Sequence, residues 1–122
     1  SSTSRGLGDV YKRQPLMQSN LSQFEESRYV VPIIANANAL APIWSMQLGL
    51  LFIDGSHTEI SAQNDYANWN TKIATGGALV IHDIYENPEE GGQAPFLIYQ
   101  KALKDGFALY ERVDTIACLI KS

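Results

Sequence analysis

The sequence has a single cysteine, Cys118, and therefore no internal disulfide. Its neighbours in TIACLIK are mostly apolar, which predicts a small buried residue in a reducing compartment. No run approaches the roughly 18 apolar residues of a membrane span, and the first residues lack the apolar segment of a signal peptide. These absences predict a cytoplasmic protein that does not enter a membrane.

Basic residues are also scarce. Nine Lys and Arg stand against 13 Asp and Glu, for a formal net charge of −4, and the basic residues are scattered singly along the chain. A protein that binds nucleic acid needs clustered positive charge to neutralise phosphates, so the sequence argues against that function. The 122 residues, 45% of them hydrophobic, suffice for one domain with one core.

Two apolar runs that end in polar residues dominate the chain: residues 48–57 (LGLLFIDGSH) and residues 77–84 (GALVIHDI). Continuous apolar runs of this length predict strands buried on both faces of a parallel sheet. Open parallel sheets bind ligands beyond the carboxyl ends of their strands. The polar residues at these ends are therefore the candidate site: Asp54, His57, His82 and Asp83.

Asp54 and Asp83 end neighbouring predicted strands, roughly 5 Å apart in the sheet, close enough to share a divalent cation. His57 and His82 could ligate a metal, act as bases, or hydrogen-bond to the acids. Because side chains alternate along a strand, His82 and Asp83 point to opposite faces unless the strand has ended.

The remaining pattern predicts alternating helices and strands. Residues 16–27 predict an amphipathic helix, residues 29–34 (YVVPII) a strand kept at a sheet edge by Pro32, and residues 35–44 a loop and a short helix. Ser56 and Glu59 form a capping-box pattern at the start of the next helix, which Gly76 and Gly77 would end. That helix should bury a stripe of four residues: Ala62, Tyr66, Trp69 and Ile73.

Pro95 suits the first position of a further helix that Gly106 closes. Its predicted buried face consists of Phe96, Tyr99 and Leu103. The last 16 residues contain two β-rich runs broken at Asp114 and Thr115, which predicts an antiparallel pair.

Three segments carry a family resemblance: LLFIDGSHTEISAQNDYANW, GGALVIHDI and ALYERVDTIACLIK. They resemble the C-terminal half of class I S-adenosylmethionine-dependent methyltransferases, over about residues 16–121. The group most similar has FIDG-x-H and GG-x-x-x-x-HD signatures and includes sugar and natural-product O-methyltransferases and cephalosporin-hydroxylase-like proteins. The resemblance implies part of a Rossmann-like α/β fold, with a mainly parallel sheet, helices on both faces and a C-terminal antiparallel hairpin.

The resemblance also implies roles for individual residues. Asn36 falls where many relatives hold an acid near the adenine of S-adenosylmethionine, and Asp54 is a second residue near the cofactor. Asp54 and Asp83 match acids that hold a cation such as Mg²⁺ in metal-dependent relatives, where it binds the acceptor's hydroxyls. Catechol-type relatives have Asn where this chain has Ile84, so His57 or His82 would supply a third ligand. These two histidines, with Asp54, are the candidate catalytic residues.

The cofactor's glycine-rich loop and ribose-binding acid would precede residue 15 in this comparison. Residues 1–14 (SSTSRGLGDVYKRQ) supply neither, and they are interpreted as a disordered or non-native tail. Residues 15–122 would then be a truncated methyltransferase domain, in which residues 29–34 pair beside residues 48–54, pair with another chain, or stay unpaired.

The expected activity is methyl transfer to a small-molecule acceptor, such as a sugar or natural-product hydroxyl. Two alternatives stay open: a metal-dependent hydrolase or oxygenase that uses the same Asp and His groups, and a non-catalytic fragment. The oligomeric state is also open, a homo-oligomer included.

Overall fold

The computed structural model describes residues 29–54 and 58–122, in two compact units, one ending at Asn36 and the other running from Ala37 to Ser122. The predicted tail and the helix over residues 16–27 lie outside the described residues, as do Ser56 and His57. Residues 29–36 contain no strand, so the predicted edge strand is wrong. A strand exists only where a neighbour completes its ladder, and Pro32 lacks the N–H that a ladder needs.

A mixed sheet of four strands forms the centre of residues 37–122. Its strands are β1 (Leu48–Ile53), β2 (Ile73–Ile81), β3 (Phe107–Val113) and β4 (Ile116–Lys121), in the order β1-β2-β4-β3. The parallel pair of β1 and β2 is confirmed, as is the closing hairpin of β3 and β4. However, β4 also runs antiparallel to β2, so the prediction of a mainly parallel sheet is wrong. A two-residue turn forces β4 back along β3, and β4 then lies between β3 and β2.

One short helix precedes β1, and two longer helices lie between strands along the chain. The first is α1 (Ala37–Leu40), continued by a 3₁₀ turn, Ala41–Ile43, and it matches the predicted short helix. The second, α2 (Glu59–Trp69), begins with Thr58 as its N-cap, since the Thr58 hydroxyl accepts a hydrogen bond from the Ser61 N–H at 3.2 Å. The helix therefore starts two residues later than a cap at Ser56 predicts. No helix of the described residues is long and apolar enough to cross a membrane.

The predicted end of α2 at Gly76 and Gly77 is also wrong. The helix ends at Trp69, and after a 3₁₀ turn, Asn70–Lys72, both glycines lie inside β2. There the register shifts between the pairs Leu48–Ile73 and Leu50–Ala78. Gly76 has a φ of +83°, which glycine adopts without steric cost.

The third helix, α3 (Ala94–Lys104), begins beside Pro95 as predicted, and Gly106 follows it with a φ of +102°. Its buried residues are Ala94, Ile98 and Ala102, at spacings of four. Phe96 and Tyr99 only flank this stripe, and Leu103 is 40% exposed, so the predicted buried face is displaced around the helix.

One core joins both longer helices to one face of the sheet. Paired side chains form two rows across β1, β2 and β4: Leu51, Leu79 and Leu119, then Ile53, Ile81 and Ala117. The helices add Ala62, Tyr66, Ile98 and Ala102 to the same cluster. Both longer helices therefore pack on the same face. The prediction of helices on both faces also involves residues 16–27, which lie outside the described residues.

The other face of the sheet is less covered. Leu50 is 57% exposed and Phe52 is 50% exposed, so β1 is not buried on both faces as predicted. Cys118 lies on this face, because its neighbours Ala117 and Leu119 point into the core, and it is half-buried and free rather than part of the core.

Candidate active site

The site lies where β1 and β2 end side by side. The strands are in register up to the pair Ile53 and Ile81. The N–H of His82 then donates a hydrogen bond to the carbonyl oxygen of Ile53 at 3.2 Å, which continues the parallel pairing one residue further. Asp54 and His82, the next residues of the two chain segments, are therefore held next to each other at this edge of the sheet.

Three predicted side chains meet here. His82 Nδ1 lies 3.0 Å from Asp54 Oδ1 and 3.4 Å from Asp83 Oδ1. One ligand atom from each of the three residues lies within 4.8 Å of the others. Between about a third and a half of each side chain is exposed, so the cluster is open to substrates from solvent.

The backbone of Asp83 explains how two consecutive residues reach the same cluster. The strand has ended at Ile81, and Asp83 has a φ of +61°, in the left-handed region. This turn overrides the alternation that would send His82 and Asp83 to opposite faces. Asp is one of the few residues that enter this region readily.

Residues of the closing hairpin hold the segment that follows Asp83 in place. Ile84 is buried, and its N–H donates to the carbonyl oxygen of Thr115 at 2.9 Å. Arg112 of β3 donates to the Ile84 carbonyl oxygen at 3.4 Å and pairs with Glu86 at 2.8 Å. The sequence did not identify Arg112, because Ile84 and Glu86, which it holds, lie far from it along the chain.

The carboxylates also set the charge of the imidazole. The hydrogen bond to Asp54 is the main cause that raises the pKa of His82, partial burial opposes it, and the negative charges of Asp83 and Asp54 add to the increase. Two carboxylates around one imidazole favour a proton or a cation at this position.

A depression of about 290 Å³ begins at Asp83. The Tyr85 carbonyl oxygen accepts a hydrogen bond from Gln93 Nε2 at 2.6 Å, which joins this segment to the start of α3. Gly91 lies against the Tyr85 ring, where an added Cβ would clash with the ring carbons. Residues that line the depression are Asp83, Tyr85, Glu90, Gly91, Gly92 and Pro95.

A family model described as a methyltransferase domain matches residues 7–84, more than half of the chain. The chain belongs to this methyltransferase family. The matched part of the methyltransferase domain contains β1, β2 and the three residues of the cluster, and ends at Ile84. The general prediction of a methyltransferase is thus confirmed. S-adenosylmethionine is the usual methyl donor of such enzymes, as the resemblance implied.

Two further predicted site residues of this methyltransferase domain stay predictions. His57 lies outside the described residues. Asn36 ends one compact unit, and the three residues of the cluster belong to the other, residues 37–122. The structure thus brings together Asp54, His82 and Asp83 and leaves the roles of His57 and Asn36 as predictions.

The donor set of the cluster fits a divalent cation. Two carboxylates and one imidazole suit Mg²⁺, Mn²⁺ or Fe²⁺ better than a structural zinc site, which usually uses thiolates. Ligation through Nδ1 of His82 would replace its hydrogen bond to Asp54 and require a neutral ring. Because the acids raise the pKa of His82, protonation and metal binding compete at this site.

Proposed function

We propose that the domain transfers a methyl group from S-adenosylmethionine to an acceptor hydroxyl bound beside Asp54, His82 and Asp83. Membership of the methyltransferase family supports the reaction type. The observation that carries the proposal is the placement of His82 beside two carboxylates, one of which, Asp83, lines an open depression. This arrangement supplies a base where an acceptor can enter.

His82 would take the hydroxyl proton as the acceptor oxygen attacks the methyl carbon. Asp54 fixes the ring through the 3.0 Å hydrogen bond and stabilises the imidazolium that forms. As the new C–O bond forms, the C–S bond breaks and its electron pair returns to sulfur. The donor therefore leaves as the neutral thioether S-adenosylhomocysteine, and the proton stays on His82.

A divalent cation is the second part of the proposal. Asp54, Asp83 and His82 would hold Mg²⁺, and the cation would lower the pKa of a bound hydroxyl. In that case His57, beyond the described residues, is the candidate base. The acceptor class proposed from the family resemblance is a small molecule with sugar-like or natural-product hydroxyls.

Methyl transfer to a panel of such acceptors tests the proposal. Asp54→Asn and His82→Gln should each reduce the rate by at least about 100-fold, as expected for a lost general base or its partner. Glu111→Gln is the matched control, since Glu111 is an exposed acid on β3. Wild-type rates in both site variants would overturn the proposed roles.

Chelation separates the two forms of the proposal. If turnover survives EDTA, His82 acts as the base without a metal. If turnover is lost and Mg²⁺ restores it, the metal-assisted form holds, and Asp83→Asn should then weaken Mg²⁺ binding. Asn36→Ala should raise the KM for S-adenosylmethionine if the proposed cofactor contact exists.

A metal-dependent hydrolase or oxygenase is the second candidate, favoured by three ligand atoms within 4.8 Å of one another. Calorimetric titration with S-adenosylmethionine and then with Mg²⁺ discriminates between the candidates. Binding of Mg²⁺ without the methyl donor would support the second candidate. Binding of neither would support a non-catalytic domain.

A further inference from the structure

We propose that Arg112 is a positioning residue that holds Asp83 in the site. Its effect on catalysis rests on the proposed function, but its effect on Asp83 does not. Arg112 lies on β3, the strand farthest from β1 in the sheet, and its side chain reaches the segment that follows Asp83.

Arg112 connects the end of the hairpin to this segment through two hydrogen bonds and one ion pair. Its Nε donates to the carbonyl oxygen of Asp114 at 2.9 Å, which holds the guanidinium against its own turn. Nη2 donates to the carbonyl oxygen of Ile84 at 3.4 Å and forms an ion pair with Glu86 Oε1 at 2.8 Å. The guanidinium carbon also lies 5.6 Å from the centre of the Tyr99 ring on α3, a cation–π distance.

These contacts determine where Asp83 can point. On one side, His82 is fixed to Ile53 by the last hydrogen bond of the parallel pair. On the other side, Ile84 is buried and bonded through both its N–H and its carbonyl oxygen to the hairpin end. Asp83 must bridge these two fixed neighbours, and it does so in the left-handed conformation that brings its carboxylate to His82.

Lysine could not reproduce this arrangement. The guanidinium presents donors in a rigid plane, so Nε and Nη2 serve acceptors in different directions while the face covers an aromatic ring. An ammonium group is one nitrogen on a flexible stem and would keep at most the ion pair with Glu86. Arg112 is also the one arginine among the described residues, and no second guanidinium there can replace it.

The test compares Arg112→Gln, Arg112→Lys and Glu86→Gln in the full chain, with Lys104→Gln as a control that removes an exposed positive charge from α3. Backbone ¹⁵N relaxation of residues 83–86 is the direct readout. We expect order parameters of about 0.85 in the wild type and below about 0.6 in Arg112→Gln. Arg112→Lys should restore little of the order, and Glu86→Gln should lie between the two.

Methyl transfer supplies the second readout. Arg112→Gln should lower kcat by about 10-fold to 100-fold, the usual effect of losing a residue that orients a site side chain. The KM for S-adenosylmethionine should not change, because the residues that Arg112 contacts are Ile84, Glu86, Tyr99 and Asp114, none of which is a proposed cofactor-binding residue. If Arg112→Gln fails to fold, its whole NMR spectrum will change. The Glu86→Gln variant, which keeps Arg112, then tests the positioning role.

Unchanged order at residues 83–86 in both Arg112→Gln and Glu86→Gln would overturn the positioning role. The same result in Arg112→Lys as in wild type would show that charge alone suffices and would overturn the geometric part. If even the wild type transfers no methyl group, the proposed function fails, while the relaxation data still decide the role of Arg112.

Discussion

The phenol of Tyr66 donates a hydrogen bond to Asp105 Oδ2 at 2.7 Å, and the Tyr66 side chain is completely buried. Tyr66 lies on α2 and Asp105 directly follows α3, so this bond joins the two helices on the core face of the sheet. Asp105 also lies 3.9 Å from the ammonium of Lys101, one turn earlier.

Removal of this hydroxyl should destabilise the fold. A hydrogen bond to a charged group is worth about 1.5–3 kcal/mol, and partial exposure of Asp105 places the expected loss for Tyr66→Phe near the lower limit. Urea unfolding measures the change. Tyr110→Phe is the control, because Tyr110 is 73% exposed and should leave the free energy of unfolding unchanged. Equal stability of both variants would mean that water replaces the Asp105 contact.

The titration of His82 should depend more on Asp54 than on Asp83. The hydrogen bond that His82 donates to Asp54 is the main cause that raises the pKa of His82, so Asp54→Asn should lower this pKa further than Asp83→Asn does. NMR titration of the imidazole measures both. Because the folded pKa is raised, the stabilising contact is fully present below the unfolded value of about 6.5 and is lost as the pH rises through the folded value.

The same shift predicts the pH dependence of activity. A base must be neutral, so kcat/KM should fall as the pH drops through the raised pKa of His82. In Asp54→Asn the residual activity should fall off at a lower pH than in the wild type. If the pH profile of kcat/KM is the same in Asp54→Asn as in the wild type, His82 is not the group whose titration controls activity.

Two glycines at neighbouring positions in β1 and β2 should respond differently to the same change. A Cβ at Gly77 would lie 2.8 Å from both Ala74 O and Ile73 Cγ2, whereas a Cβ at Gly49 would meet nothing within 4 Å. Gly77→Ala should therefore lower the free energy of unfolding by about 1–3 kcal/mol through overpacking. Gly49→Ala is the matched control and should be close to neutral. Thermal and urea unfolding measure the free energy of unfolding of both variants. A similar decrease in Gly77→Ala and Gly49→Ala would mean that crowding at Gly77 is not the cause.

The turn of the closing hairpin offers a test of backbone strain. Asp114 has a φ of +54°, so Asp114→Ala should lower the free energy of unfolding by about 1 kcal/mol, because alanine is disfavoured in that region. Asp114→Gly keeps the conformation accessible and should stay within about 0.5 kcal/mol of the wild type. If alanine and glycine behave alike in urea unfolding, the side chain of Asp114 matters more than its φ.

The sequence predicted the features that depend on local pattern. Continuous apolar runs identified β1 and the end of β2, and the polar residues after them identified Asp54, His82 and Asp83 as one cluster. The strand predicted over residues 29–34 failed because β-branched composition does not supply a pairing partner. The predicted helix cap was Ser56, but the cap is Thr58. Both side chains carry a hydroxyl that can cap a helix, so the sequence pattern alone did not discriminate between them.

Other features depend on contacts between distant residues and could not be predicted from the sequence. The left-handed conformation of Asp83 follows from the bonds of Ile84 to Thr115 and Arg112, about 30 positions away in the chain. The mixed sheet follows from the position of β4 between β2 and β3. The burial of Ile98 rather than Leu103 depends on which side of α3 packs into the shared core.

Because of the register shift in β2, the length of that strand does not determine the position of its carboxyl end relative to β1. Between paired positions, two steps along β1 (Leu48 to Leu50) correspond to five along β2 (Ile73 to Ala78). Insertions or deletions among residues 74–77 could thus accumulate during evolution without moving His82 relative to Asp54. Deletion of one residue between Ala78 and Ile81 would instead move the core side chains of β2 to the other face of the sheet. It would also move His82 away from Asp54. The glycine-containing half of β2 should therefore tolerate a change in length, whereas the half next to the site should not.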